Sequence, residues 1–156
     1  MGFLLFSGFW GTYEEPASSI LLDDAQPSDR RQNYQRLIEC LDRDQNCEQD
    51  KINYLISRIE KSPCLFIRNG QEVKGSEAAR FMRWKLLRKA ERHHVRTAED
   101  FVRRIATRSD MSGKYYWVAT QDNGQYHLGD VLLNELMQIE NLTQDHLSLA
   151  QAKHEI

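Results

Sequence analysis

The chain has 156 residues, of which 40% are hydrophobic and 28% charged, with a formal net charge of −2; this suits one modest core with polar flanks. No stretch approaches the roughly eighteen consecutive apolar residues of a membrane-spanning helix, which excludes a membrane-embedded bundle. The charge is uneven: residues 58–108 carry fourteen Lys and Arg against six Asp and Glu, while the rest carries seven against seventeen.

In chain order, residues 1–10 are apolar and uncharged. They resemble the hydrophobic part of a secretion signal, without the usual basic residues before it and without a clean cleavage site after it. Export, or attachment at the N-terminus to an envelope membrane, is one expectation; the other is a segment that packs on the domain. Residues 12–32, with Pro16, Pro27 and several acids, have linker composition. A short helical stretch is expected over 34–41, where Tyr34, Leu37, Ile38 and Leu41 recur at helical spacing. Cys40, Cys47 and Cys64 show no zinc-ligand spacing. In an oxidising compartment Cys40 pairs with Cys47, or either pairs with Cys64; in a reducing one all three are small buried side chains.

The next helix spans 48–61, its Ile52, Leu55, Ile56 and Ile59 on one face, and Pro63 follows its end. Residues 64–67 read as a strand entering the Asn69-Gly70 turn, with a return strand near Val73. A helix over 76–92, capped by Ser76, is expected to bury Ala79, Met82, Leu86, Ala90 and His93. Thr97 and Asp100 form a capping-box pattern for another helix. Residues 115–120 and 125–128 read as strands joined at Asn123-Gly124, and a last helix runs over 130–140. The pattern is a single α+β domain of about four helices with a small antiparallel sheet. Both hairpins are expected in one sheet, because an isolated hairpin is marginal. Residues 1–47 form an N-terminal extension, 48–141 the domain and 142–156 a polar tail.

Phe66, Ile67, Arg68, Asn69 and Gly70 in a row, then Glu77, Ala78 and Ala79 with Lys85, then Thr97, Ala98, Glu99 and Phe101, then Ser112, Gly113 and Lys114 with Tyr116, resemble the YfeK-like family. Its members are small bacterial proteins, mostly with secretion signals and without an assigned activity. The resemblance covers about residues 48–140 and implies a periplasmic or envelope setting. The family often has His-Leu where this chain has Phe81-Met82, so chemistry based on a histidine there is absent.

Two constellations stand out. On the central helix Glu77, Arg80, Phe81, Trp84 and Arg88 share a face. An exposed Trp with Arg four residues to either side makes cation–π contacts and a basic-aromatic patch for an anionic ligand or partner protein. Alternatively, Trp84 packs under the N-terminal extension. Nearer the turns lie Arg68, Asn69, Glu77, Lys85, Ser112 and Tyr116. A Ser-Lys pair can support acyl transfer and a Glu can act as general base. The same residues also build folds, with Arg68 or Lys85 pairing with Glu77.

No P-loop, dinucleotide fingerprint, nucleophile elbow or two-histidine metal motif is present, so no cofactor or metal is expected. The mildly acidic whole, without a nucleic-acid motif, argues against nucleic acid. The first reading is a non-enzymatic envelope or periplasmic domain that binds a protein or small anion through Arg68, Asn69, Arg80, Trp84, Arg88 and Tyr116. The rivals are an envelope hydrolase using Glu77, Lys85 and Ser112, and a cytoplasmic anion-binding protein using the basic helix.

Overall fold

Two Asn-Gly turns organise the sheet. In the computed structural model, which describes residues 27–43 and 46–154, Asn69 and Gly70 have φ of 51° and 80°, and Asn123 has φ of 66°. These are left-handed values that Asn and Gly tolerate better than other residues. The first turn joins β1 (Leu65–Arg68) to β2 (Gln71–Lys74), and the second joins β3 (Trp117–Ala119) to β4 (Gln125–His127). Both hairpins belong to one antiparallel sheet of order β2-β1-β3-β4, with Phe66 opposite both Val73 and Val118. Strand alternation puts Phe66 and Val118 in the core, while Leu65, Ile67, Trp117 and Ala119 share the outer face.

Five helices occur among the described residues, against the count of about four expected for the domain. The first, α1 (Pro27–Arg43), begins where the composition reads as linker and is longer than the expected 34–41. Its Leu37 and Leu41 enter the common core, and a Cys40–Cys47 disulfide ties its end to the start of α2 (Glu48–Lys61). Cys64 is buried in β1's approach. The apolar residues 1–10, and the linker up to residue 26, lie outside the described residues.

Helix α3 (Gly75–Lys89) follows β2 directly, with Lys74 rather than Ser76 in the cap position and no side-chain cap. It crosses the end of α2 so closely that a Cβ on Gly75 would stand 2.2 Å from the Ile59 carbonyl oxygen. Its buried side is Ala78, Ala79, Met82 and Lys85; Leu86 is only partly buried, so the core stripe is turned by one residue from the expected one. The chain then turns through His94, at φ 52°, into α4 (Ala98–Phe101). Thr97 accepts from the Asp100 N–H, and Asp100 accepts from the Thr97 N–H, completing the capping box. A five-residue π turn, Val102–Ala106, continues α4 and buries Val102, Ile105 and Ala106 fully. The last helix, α5 (Leu128–His154), runs well beyond residue 140, with buried positions as far as Thr143. Inside, Arg58 of α2 donates to Glu135 of α5 at 2.9 Å, and Tyr54 joins at 3.2 Å. No helix among the described residues is long and apolar enough to cross a membrane.

Candidate functional site

Helical spacing stacks Glu77, Phe81 and Trp84 along α3, beside the β1–β2 hairpin that α3 follows without a loop. Arg68, the last residue of β1, lays its guanidinium over the Phe81 ring, 3.9 Å from the centroid. Phe81 stacks on Trp84 with centroids 5.7 Å apart and meets Tyr116 edge-on at 6.2 Å. Arg88 lies 5.7 Å from the Trp84 centroid. The result is a ladder of Arg68, Phe81, Trp84 and Arg88, each contact within the roughly 6 Å reach of a cation–π or aromatic interaction. Trp84 is 48% exposed, so this face is accessible rather than wholly packed away.

The ladder borders a cleft of about 150 Å³ between β1, β2 and α3. Phe66, Met82 and Leu128 supply apolar walls, and Arg68, Gln71 and Glu77 supply its polar groups. A volume near 150 Å³ is that of a cavity which takes up a benzene ring. Tyr116 lines it too; burial pushes its hydroxyl up to about 12 against the opposing pull of the Arg68 charge, so it is a neutral phenol at physiological pH. Arg80 is exposed on α3 one residue before Phe81.

Lys85 sits behind the cleft. It is 2% exposed, and its ammonium donates to the carbonyls of Ile105 (2.7 Å) and Arg108 (2.8 Å) and to the Tyr116 hydroxyl (3.3 Å). Asp110 Oδ1 is a further 3.3 Å neighbour. Burial lowers the Lys85 pKa, and the Asp110 charge opposes that fall. Burial works to raise the Asp110 carboxyl, but the hydrogen bond from Lys89 and the charge of Lys85 outweigh it and bring it down to about 2.

The structure therefore brings Arg68, Trp84, Arg88 and Tyr116 together through Phe81. It places Asn69 elsewhere: its side-chain oxygen accepts from Ser112 Oγ at 2.7 Å, tying the hairpin turn to the loop 109–114. Glu77 lines the cleft and Lys85 pairs with Asp110, so neither Lys85 nor Arg68 forms the expected pair with Glu77. Ser112 bonds Asn69 while Lys85 bonds carbonyls, so these two are not joined as a nucleophile and its base. The sequence places Phe81 on the Trp84 face without showing that it is the hub, and it does not point to Asp110 as the lysine's counter-ion. The signal for Phe81 was present, since it is three residues from Trp84 on the same helical face. Nothing local marked Asp110, which is twenty-five positions from its partner in the numbering.

A family match covers this whole arrangement. The chain belongs to DUF5329, a family of unknown function. The DUF5329 match spans residues 46–140, which takes in α2, α3, both hairpins, the π turn and the buried half of α5. No curated protein matches the chain, and no solved structure does either.

Proposed function

We propose that this DUF5329 chain is a non-enzymatic recognition domain that takes an aromatic or branched aliphatic side chain of a partner protein into the cleft. An acidic residue of the same partner segment pairs with Arg68. The observation that carries the reading is the Arg68 guanidinium over the Phe81 ring, 3.9 Å from its centroid, at a benzene-sized cleft with apolar walls and a few polar groups. A guanidinium stacked on a ring keeps its in-plane N–H donors available for a carboxylate, and stacking limits the entropy lost on binding. Trp and Arg at such places dominate binding energies. Arg80 and Arg88 make the surroundings electropositive against the lone Glu77 of the cleft wall.

The setting we propose is the bacterial periplasm or envelope, in line with the resemblance to the YfeK-like family. Two features support it: the Cys40–Cys47 disulfide, a bond that persists in oxidising compartments, and the apolar residues 1–10.

The test uses two panels of short labelled peptides, one with Phe, Tyr or Leu beside Glu or Asp, and one with Lys in place of the acid. The acidic panel is expected to bind, and Arg68→Ala to weaken binding by about tenfold or more without lowering the melting temperature. Equal binding of both panels, or unchanged affinity in Arg68→Ala, would sink the proposal.

A further inference from the structure

A second hollow lies beyond the C-terminal end of α3, away from the cleft. Lys89, Arg92, His93, Arg103, Arg104 and Arg108 line it, drawn from α3 and the turn after it, the π turn and the loop that follows. We propose that this hollow binds a soluble small molecule carrying clustered phosphate groups.

Its volume, about 670 Å³, lies within the roughly 300–1,000 Å³ of ligand pockets. The one carboxylate on its wall is Asp110, and it is already engaged: Lys89 bonds it, Lys85 stands 3.3 Å away and His93 3.5 Å away. Arg103 and Arg104 make exposed pairs one helical turn back, with Glu99 at 2.6 Å and Asp100 at 3.3 Å. Exposed pairs of that kind are weak and exchange readily for a stronger anion. Arg104 also donates to the His93 carbonyl at 2.6 Å, which pins the turn after α3 to the π turn and holds the cationic walls in place. Arg92 and Arg108 have no carboxylate partner among the described residues.

Like charges converging on a concavity repel one another and focus a positive field there, and a bound polyanion relieves that repulsion. Four of the six basic lining groups are guanidiniums, whose planar forks match phosphate oxygens in pairs. Their spread over separate segments favours a ligand with several phosphates over a single small ion. The sequence hinted at this site only as an excess of basic residues, because the residues that meet are separated by up to nineteen positions.

The experiment is titration calorimetry of the whole protein with tripolyphosphate, at about 50 and 200 mM salt, with citrate as a carboxylate control. An Arg92→Ala/Arg108→Ala double variant is expected to bind tripolyphosphate at least tenfold more weakly. Both side chains are exposed and outside ion pairs, so its melting temperature should match wild type, and Lys153→Ala should bind as wild type does. Flotation with phosphatidylglycerol and phosphatidylcholine vesicles separates the sources of phosphate. Three results would each overturn the proposal: equal affinity in the double variant, citrate binding as tight as tripolyphosphate, or binding to anionic vesicles without binding to tripolyphosphate.

Discussion

The ammonium of Lys85 has three N–H donors and meets the carbonyls of Ile105 and Arg108, the Tyr116 hydroxyl and a carboxylate oxygen of Asp110. Two of those acceptors belong to the end of the π turn and the loop after it, where helix carbonyls lack intrahelical partners. Lys85 thus acts as a side-chain cap delivered from another helix, and this is why a charge is tolerated in the core. Replacing it by Met keeps the stem and strands the carbonyls, so Lys85→Met is expected to cost about 2–4 kcal/mol, read from the urea midpoint. Asp110 sets a pH dependence with a definite sign. Its native pKa of about 2 lies below the ordinary carboxylate value of about 3.9. Its stabilisation is therefore complete above about pH 4 and fades as pH falls from about 4 through about 2. Denaturation of Asp110→Asn across that window should show a flatter pH profile than wild type. Parallel profiles would remove Asp110 from the acid sensitivity.

At the scale of elements, the close crossing of α2 and α3 rests on Gly75. A methyl group there meets the Ile59 and Ser62 carbonyl oxygens at 2.2 and 3.0 Å, and backbone cannot turn aside as a flexible side chain can. Gly75→Ala is expected to destabilise by at least the roughly 1–3 kcal/mol of an overpacked site, and a thermal melt equal to wild type would show that the helices separate cheaply. The Cys40–Cys47 bond restrains α1 against α2 across seven positions. In the chain-entropy model a loop that short contributes about 2.5 kcal/mol. Reduction should lower the melting temperature of wild type and leave a Cys40→Ala/Cys47→Ala variant unmoved. The elements legible in the sequence were those with local signals: the isoleucine stripe of α2, the two Asn-Gly turns and the Thr97 box. The π turn carries no local signal, since Val102–Ala106 has the composition of an ordinary helix. Leu86 took the place of Lys85 in the expected stripe for a related reason. Periodicity ranks residues by polarity, and acceptors supplied by a distant segment decide whether a lysine can be buried. The site was partly readable on the same terms. Trp84 and Arg88 share a helix and were found together, whereas the stacking of Arg68 on Phe81 depends on how the hairpin folds back.

Over the whole molecule, the buried pair Arg58–Glu135 links α2 to α5 from opposite ends of the family's span, with both side chains 2% exposed. Removing both charges from water is costly, and their attraction and the Tyr54 hydrogen bond offset that cost only while both are present. Two expectations follow from this balance. Arg58→Met alone leaves a buried carboxylate, and Glu135→Leu alone leaves a buried guanidinium, so each single change should cost about 3–5 kcal/mol. The double variant fills the space with apolar groups and should recover most of that loss, because buried pairs replaced together are often neutral in stability. Urea denaturation of the four proteins gives the coupling directly. Additive losses in the double variant would mean that each side chain is held by other partners, and that α2 and α5 are joined by apolar packing alone. A recovered double variant would instead show that each charge is tolerated in the core because the other is there. Leu55 and Ile59 of α2 and Leu132 and Leu136 of α5 are buried in the same core, so apolar side chains at 58 and 135 would join a layer that is already apolar, whereas one charge left alone there has nothing to offset its lost hydration.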